Sequence, residues 1–282
     1  MGTAATMQAA RTQRTRVLVT AGGVALLLLG VARFSGHGPA WLQGDTLFKS
    51  YTGDPELQDT FEDVYKRGKW GSDGGGSGAG STVEITKGTR ALLKQAITDL
   101  GVRSMIDVPC GAMVWMPLLL EEVEKEQPSF KYLGLDITAS VVKKNKKTFA
   151  TKKNWRFGAF DLTSQALPRG YDLIHTRDAL QHLSCRSIVA ALRTLATSSS
   201  RYLLVGSYNA TTNVDIEDGE YFDLNLRRPP YNLDKPLAVF AENNPQFAPK
   251  FQLLYSIPEL AKQDFAAMKL RCAFPQACPD CP

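Results

Sequence analysis

The chain has little of what assigns a function at once: its 282 residues include only three histidines and five cysteines. The one C-x-x-C pair, Cys278 and Cys281, has no second pair of ligands nearby, which disfavours a zinc site. Gly111 has no G-x-G-x-x-G motif around it, so a nucleotide-dependent oxidoreductase is also disfavoured. No Asp or Glu precedes Asp45, and the charge is nearly balanced from there on. Without a basic groove interleaved with aromatic residues, nothing indicates nucleic-acid binding.

The N-terminal part carries an apolar run, residues 17–32, with Arg11, Arg14 and Arg16 before it and Arg33 behind it. As a helix this run is about 24 Å long, which spans a bilayer only if the flanking arginines snorkel. Three interpretations stay open: a single-pass signal anchor with the rest of the chain in a lumen, a cleaved signal peptide of a secreted or lumenal protein, or an organelle transit peptide. The chain then divides into a basic tail, an anchor or signal segment, a linker and a catalytic domain, at residues 1–16, 17–34, 35–54 and 55–282.

Downstream of the linker, short apolar runs alternate with helix-length segments. The runs 104–107 and 132–136 each end in an aspartate, with a helix-length segment at 113–127 between them, and together they form a βαβ unit. Continuous apolar runs are typical of parallel strands buried on both faces. Later strands are predicted at 155–160, 171–175, 201–208, 237–241 and 251–255, and further helices at 55–69, 82–100, 140–152, 187–197 and 257–265. The sequence therefore predicts an α/β fold, a doubly wound, mostly parallel sheet with helices on both faces.

The ends of the first two strands predict a ligand site, because ligands dock where parallel strands end. Gly111 lets the backbone approach a ligand without a Cβ in the way. Asp136 is placed to accept two hydrogen bonds from a ribose diol, each worth about 1.5–3 kcal/mol to a charged acceptor. Asp107 stands beside it. For any one aspartate, the alternative is a helix cap or a surface turn.

The fourth strand runs into Asp178 and His182. Four residues apart on a helix, they share a face and form a carboxylate-oriented imidazole, a candidate general base. The alternative is that Asp178 caps a helix and His182 satisfies a core hydrogen bond.

Two loops are candidates for the rest of the site. The glycine-rich run 71–81 is either a flexible connector or a lid over the ligand. The long segment after the fifth strand offers polar residues for an acceptor pocket, or is a solvated loop. Its candidate residues are Asn209, Asp223, Asn225, Arg227, Arg228, Tyr231 and Asn232.

The order of motifs from about Phe61 to Phe265 resembles class I S-adenosylmethionine-dependent methyltransferases, in particular a subset that combines Trp-Gly, a Ser/Gly run and Asp-x-Pro-Cys-Gly-x-x-x-Trp-Met. The matching elements are Trp70-Gly71, 77–81, Asp107 to Gly111 with Trp115-Met116, 134–137, 160–163 and Arg177-Asp178 with His182-Leu183. The resemblance implies a Rossmann-like methyltransferase fold with S-adenosylmethionine as cofactor. It implies that Asp107 and Gly111 border the methionine part, Asp136 holds the ribose and Asp161 approaches the adenine amine. The remaining cofactor-binding positions that it implies are Pro109, Trp115, Ile137, Leu162 and Arg177.

The chain departs from the common glycine pattern of that family at Pro109 and Met113. Proline fixes φ and has no N–H to donate, so the loop must take a different path. The expected function is methyl transfer to an unidentified small molecule, lipid or protein group, at a membrane through the N-terminal segment. The alternatives are a methyltransferase-like scaffold without turnover and, less favoured, an NAD(P)-dependent oxidoreductase. If the domain is lumenal, a disulfide is expected among Cys272, Cys278 and Cys281.

Overall fold

A computed structural model describes residues 51–242 and 249–273 of the chain. The predicted basic tail, the apolar segment and nearly all of the predicted linker lie outside these residues, as do Cys278 and Cys281. Within the two described ranges, no helix is long and apolar enough to cross a membrane.

The described strands form one seven-stranded sheet in the order β3-β2-β1-β4-β5-β7-β6. The five strands from β3 to β5 in this order are parallel, whereas β7 runs antiparallel to both β5 and β6. Their bounds are β1 Ser104–Asp107, β2 Lys131–Asp136, β3 Trp155–Ala159, β4 Leu173–Thr176, β5 Tyr202–Tyr208, β6 Ala238–Ala241 and β7 Lys250–Ser256. The predicted doubly wound, mostly parallel sheet is confirmed.

Helices cover both faces of this sheet, and a hydrophobic cluster fills the space on each side. Residues of α1, α5, α6 and α7 belong to one cluster, and residues of α2 and α3 to the other. The helices are α1 Pro55–Arg67, α2 Lys87–Asp99, α3 Met116–Glu126, α4 Ala139–Thr148, α5 Cys185–Ala196, α6 Ile257–Leu260 and α7 Phe265–Ala273. The central strands β1, β2, β4 and β5 are thus mostly buried from both sides, which explains their continuous apolar runs.

Helix α1 shows how local sequence sets these bounds. Asp54 caps its first turn by accepting hydrogen bonds from the backbone N–H groups of Glu56 and Leu57. Gly68 ends it in a left-handed conformation, φ 61°, which glycine adopts without steric cost. The helix therefore stops two residues before the predicted end. Its buried residues Leu57, Phe61 and Val64 are each worth about 1.5–3 kcal/mol of burial.

The C-terminal part of the described chain corrects two predictions. The single helix predicted at 257–265 is two helices, because α6 ends at Leu260 and Asp264 accepts a hydrogen bond from the Ala267 N–H and so starts α7 separately. Cys272 of α7 is disulfide-bonded to Cys185 at the start of α5. Of the pairings expected among Cys272, Cys278 and Cys281, those of Cys272 are therefore wrong, since α7 packs against α5 and brings Cys185 to it. A pairing of Cys278 with Cys281 lies outside the described residues.

Candidate functional site

A cavity lies at the carboxyl ends of the parallel strands and encloses about 990 Å³ of space, its mouth included. All eleven residues that are predicted as cofactor-binding or catalytic line this one cavity. They are Asp107, Pro109, Gly111, Trp115, Asp136, Ile137, Asp161, Leu162, Arg177, Asp178 and His182. The three strand-end aspartates converge, as expected for neighbouring parallel strands β1, β2 and β3.

Asp136 ends β2 as a buried carboxylate that touches only neutral donors. Its Oδ2 accepts a hydrogen bond from the Gly111 N–H at 2.9 Å, and its Oδ1 accepts one from the Thr138 N–H at 2.9 Å. Burial raises the pKa of Asp136 above its ordinary value, although these hydrogen bonds oppose the shift. Each carboxylate oxygen keeps a free lone pair, so Asp136 can accept two further hydrogen bonds from a diol in the cavity.

Gly111 occupies a position that other residues would adopt only under strain. Its φ is 55°, and a Cβ there would lie 2.9 Å from the Ser77 Oγ. The Ser77 hydroxyl accepts a hydrogen bond from the Ala112 N–H at 3.0 Å and shares a second hydrogen bond of 2.7 Å with the Tyr65 hydroxyl. The loop after β1 thus depends on glycine both for its turn and for the close approach of the segment around Ser77.

That segment is the glycine-rich run 71–81, which folds into two short 3₁₀ turns against the cavity. Gly74, Ser77 and Ser81 line the cavity, and the Gly80 carbonyl accepts a hydrogen bond from Arg177 Nη1. Five of its glycines have positive φ in the described structure, which favours glycine at these turns. Its location fits the predicted lid better than a connector without contacts.

Asp107 at the end of β1 is buried beneath the cavity. Its Oδ2 accepts a hydrogen bond from the Tyr132 hydroxyl at 2.8 Å, and its Oδ1 lies 2.7 Å from Nδ1 of His175. His175 lines the cavity and contacts the Trp115 ring edge-on. His175 is not among the residues that the sequence predicts for the site. Its position near the carboxyl end of β4, next to Asp107 in the strand register, is the signal that could have found it.

Asp161 follows β3, and its carboxylate is fully occupied by the protein. Oδ2 accepts hydrogen bonds from the Asp54 N–H and the Ser164 hydroxyl, and Oδ1 accepts two from Thr163. Burial alone would raise the pKa of Asp161, but these donors lower it. Because a carboxylate has about four acceptor sites, the implied side-chain contact with an adenine amine is not supported. The adjacent N–H of Leu162 has no partner in the described part of the chain and is free to donate.

Arg177 and Asp178 belong to a buried ion network that connects β4 to β6 and β7. Arg177 makes two parallel hydrogen bonds to Glu242 and a third to Asp178, and Lys250 also pairs with Asp178. Gln252 donates a further hydrogen bond to Glu242. Burial would raise the pKa of Asp178, but Arg177 and Lys250 hold it well below its usual range. Asp178 is therefore an ion-pair partner here and not a proton acceptor.

The predicted geometry of Asp178 and His182 is wrong. Asp178 has φ 52°, so no helix passes through it, and a single 3₁₀ turn begins only at Leu180. His182 Nδ1 instead donates to the Glu220 carbonyl at 2.7 Å, which leaves Nε2 with its lone pair. The His182 ring packs against Trp70, with ring centres 4.5 Å apart and ring planes tilted by 33°. Burial lowers the pKa of His182, so the imidazole is neutral near pH 7 and can take up a proton at Nε2.

The polar candidates of the segment after β5 do not line the cavity. Tyr231 is buried in the core. The Asn225 side chain holds its own loop, since Nδ2 donates to the Ala210 carbonyl and Oδ1 accepts from the Arg227 N–H. Asn209 and Asn232 are exposed, as are Arg227 and Arg228, and Asp223 is half-buried and accepts from the Tyr221 hydroxyl. What the segment contributes is the Glu220 carbonyl behind His182, a contact that the sequence pattern does not predict.

Metal binding has no support in the geometry of residues 51–242 and 249–273. In these ranges no group of three or more His, Cys, Asp or Glu side chains could hold an ion. The free thiol of Cys110 is buried in the loop after β1, and burial raises its pKa well above the ordinary value, so it stays protonated.

Solved structures of methyltransferases share this fold. PigF with SAH aligns with a TM-score of 0.51 at 11% identity, over 70% of this chain and 62% of that chain. Human N-acetylserotonin methyltransferase in complex with SAM aligns with a TM-score of 0.48 at 15% identity, over 70% and 58%. The apo form of the S-adenosylmethionine-dependent methyltransferase SibL aligns with 0.45 at 16%, over 61% and 55%. No protein-family model and no curated protein sequence matches the chain.

These alignments cover between 55% and 62% of the three solved chains. At such low identity the likeness establishes architecture alone. The cavity described above lies at the edge of the sheet where the strand-end aspartates meet. The chain has the Rossmann-like fold of class I S-adenosylmethionine-dependent methyltransferases, as its motifs predict.

Proposed function

We propose that this chain is an S-adenosylmethionine-dependent methyltransferase. One observation carries the proposal: in a methyltransferase fold, the free lone pairs of Asp136, the glycine loop at Gly111 and the free N–H of Leu162 all border one cavity. An adenosyl ligand requires an acceptor for its ribose hydroxyls, a backbone segment that can approach it closely and a donor to its adenine ring.

The residues present fit the cofactor. Asp136 would hold the ribose hydroxyls, and the Leu162 N–H would donate to the adenine ring between the apolar side chains of Ile137 and Phe160. The loop at Gly111 would border the amino-acid end. When bound, S-adenosylmethionine supplies an electrophilic methyl group, so alignment with an acceptor and exclusion of water are what the protein must add.

His182 is the proposed general base. Its Nε2 carries the lone pair, because the Glu220 carbonyl holds the proton on Nδ1. An acceptor with an ionisable O–H or N–H group would lose its proton to Nε2 as its heteroatom is methylated. The Trp70 ring fixes the plane of the imidazole. The acceptor is a small molecule, a lipid or a protein group, and its class stays open within this proposal.

We further propose that residues 17–34 anchor the domain at a membrane, with the catalytic domain in a lumen. The support is the apolar run flanked by arginines and the Cys185–Cys272 disulfide, a bond that persists in oxidising compartments. Protease protection of the domain in sealed vesicles, lost on adding detergent, is the expected result. Digestion of the domain in intact vesicles would contradict it.

The test of the proposed activity is binding of S-adenosylmethionine measured by calorimetry. The wild-type chain should bind it at micromolar levels, and Asp136→Ala should weaken binding at least 100-fold because two acceptor oxygens are lost. Asp172→Ala is the matched control, since Asp172 also accepts hydrogen bonds, from the Arg103 N–H and the Ser104 hydroxyl, at the opposite end of the sheet. Unchanged binding in Asp136→Ala contradicts the site assignment.

Thermal shifts separate the alternatives, since a ligand at 100 times its Kd stabilises a protein by about 2.7 kcal/mol. Stabilisation by a nicotinamide cofactor and not by S-adenosylmethionine would support an oxidoreductase. Binding of S-adenosylmethionine without methylation of any candidate acceptor would support a scaffold.

A further inference from the structure

A second depression lies on the surface between α5, α7 and the loop after β3, and we call it the α5–α7 groove. It encloses about 1660 Å³ of space, its open side included. Arg186 and Arg193 of α5 line it together with Lys269 of α7, whereas no Asp or Glu of the described residues does. A groove with cations and no acids attracts an anionic partner.

The charges of this groove are not used within the domain. All three cations are exposed, and none forms an ion pair or a side-chain hydrogen bond with another described residue. Arg186 and Arg193 are seven residues apart, which is two helical turns, so both lie on the same side of α5 about 10 Å from each other. The groove therefore presents a row of unpaired positive charge to a partner.

Apolar side chains lie beside the cations. The floor of the groove is apolar and contains Val189, Ala190, Phe265 and Ala266. Leu270 follows Ala266 by one turn of α7, and its exposed fraction of 62% is the highest of any large apolar side chain in residues 51–242 and 249–273. Cations next to an exposed apolar side chain are typical of protein surfaces that lie at the headgroup level of a membrane.

The described chain begins at one end of the groove. The Asp54 N–H donates to Oδ2 of Asp161 at 2.9 Å, and Gln165, which lines the groove, donates to the Thr52 hydroxyl at 2.8 Å. Residues 35–50 join this point to the proposed anchor, and sixteen residues span at most about 55 Å. A membrane that holds the anchor is therefore within reach of the groove.

We propose that the α5–α7 groove docks onto anionic lipid headgroups in the leaflet that faces the domain. Docking in this form rests on the proposed anchor and is independent of methyl transfer. Residues 35–50 and 274–282 do not match the charge of the groove, because each segment has a single acidic residue, Asp45 and Asp280. Thr163 lines both the groove and the cavity, so docking holds the cavity close to the membrane surface.

Chemical labelling of lysines in the full chain tests this docking. The chain is incorporated through its N-terminal segment into bilayer discs of phosphatidylcholine, alone or mixed with phosphatidylglycerol, and a water-soluble amine reagent is followed by mass spectrometry. Each cation near an anionic surface is worth about fivefold in affinity, so the three together favour the docked state about 100-fold. In the mixed discs Lys269 should react at least fivefold more slowly, by this estimate of about 100-fold docking. Lys144 and Lys147 of α4 should change less than about twofold.

Two double variants keep Lys269 as the reporter. Arg186→Gln with Arg193→Gln should weaken docking about 25-fold and abolish the shielding of Lys269. Lys143→Gln with Lys146→Gln is the matched control, because it removes the same charge from exposed positions on α4 and should leave the shielding intact. All four side chains are exposed, so both variants should fold. Equal loss of shielding in the two variants would overturn the proposal, since net charge alone would then explain it.

Other occupants of the groove give different results. Salt at about 1 M should restore the labelling of Lys269 in the mixed discs, because it shortens the screening length to about 3 Å. Inorganic phosphate or soluble polyglutamate, added to phosphatidylcholine discs, should leave the labelling unchanged. Shielding by phosphate would indicate a site for a soluble anion, and shielding by polyglutamate an acidic protein partner. Slow labelling in every condition would indicate that the chain covers the groove itself. Each of these three results would overturn the proposal.

The outcomes separate the docking from the proposed anchor. If the chain enters the discs and Lys269 is not shielded, the anchor stands and the docking is refuted. If the chain does not enter the discs, the anchor fails, and co-sedimentation of the same chain with phosphatidylglycerol vesicles tests the groove alone. Binding that the Arg186→Gln, Arg193→Gln variant loses would support the groove as a lipid-binding surface. Absence of binding would overturn it together with the anchor.

Discussion

Two buried aspartates at the same cavity, Asp136 and Asp178, show opposite electrostatic behaviour. Asp136 accepts hydrogen bonds only from neutral backbone groups, and burial raises its pKa. Burial would raise the pKa of Asp178 too, but Arg177 and Lys250 lower it well below the ordinary range. The difference teaches that the ligand half of the cavity, at the ends of β1 to β3, keeps free acceptor sites at Asp136. In the self-neutralised half, the ion network of Arg177, Asp178, Glu242 and Lys250 compensates its own charges and holds the shape.

The largest expected effect comes from disrupting the ion network of the self-neutralised half. Arg177→Met leaves Glu242 and Asp178 buried with one of their cations gone, and should lower the free energy of unfolding by about 3–5 kcal/mol. Arg201→Met is the control, because the Arg201–Asp172 pair is partly exposed and is worth about 1 kcal/mol or less. Urea unfolding measures both. Equal losses in the two variants would mean that the network does not hold this half together.

A covalent bond also stabilises the fold, outside the cavity. The Cys185–Cys272 disulfide ties the start of α5 to α7 across 87 residues. Cys185→Ala should lower the free energy of unfolding by about 2–4 kcal/mol. A reductant should destabilise the wild-type chain by a similar amount and leave the variant unchanged. Peptide mapping without reductant that finds both thiols free would contradict the described bond.

The pH dependence of methyl transfer tests the role of His182 and so sharpens the comparison of buried titratable groups at the cavity. Burial lowers its pKa below the ordinary value of about 6.5, and the base acts in its neutral form. The kcat/KM for methyl transfer should therefore be level near neutral pH and fall about tenfold per pH unit below the pKa of His182, as acid protonates the ring. His182→Gln should remove this limb of the profile. A limb that persists in the variant would assign it to another group.

The smallest expected effect concerns the glycine-rich run over the ligand half. Ser77→Ala removes the acceptor of the Ala112 N–H and the partner of the Tyr65 hydroxyl. It should lower the free energy of unfolding by about 0.5–1.5 kcal/mol and speed proteolysis within 71–81. Tyr65→Phe removes only one of these bonds and should have the lesser effect. Identical proteolysis rates in all three chains would indicate that Ser77 does not hold the run 71–81 in place.

The ligand half was largely predictable because its signals are local. The apolar run that ends in Asp136 predicts a buried strand and the sheet edge at which it ends. The run that leads to Gly111 predicts a strand and the turn that follows it. Asp161 shows the limit of prediction from such local signals. Its placement followed from the same pattern, but the donors that occupy its carboxylate include the Asp54 N–H, from more than a hundred residues away in the chain.

The self-neutralised half was not predictable because distant residues determine it. Glu242 and Lys250 reach Arg177 and Asp178 only through the antiparallel strands β6 and β7, and their local sequence carries no sign of this pairing. The helical spacing of Asp178 and His182 gave a wrong prediction, because the left-handed φ of Asp178 is incompatible with a helix through this residue. The backbone conformation of one residue therefore outweighed a helical spacing of four residues.

The most direct test of the account is a crystal structure of the chain with S-adenosylhomocysteine. The account predicts density in the cavity at the carboxyl ends of β1 to β4. The ribose hydroxyls should lie within hydrogen-bond distance of the Asp136 carboxylate, and the adenine should lie against the Leu162 N–H. Ligand bound at another surface, or an empty cavity at saturating ligand, would contradict it.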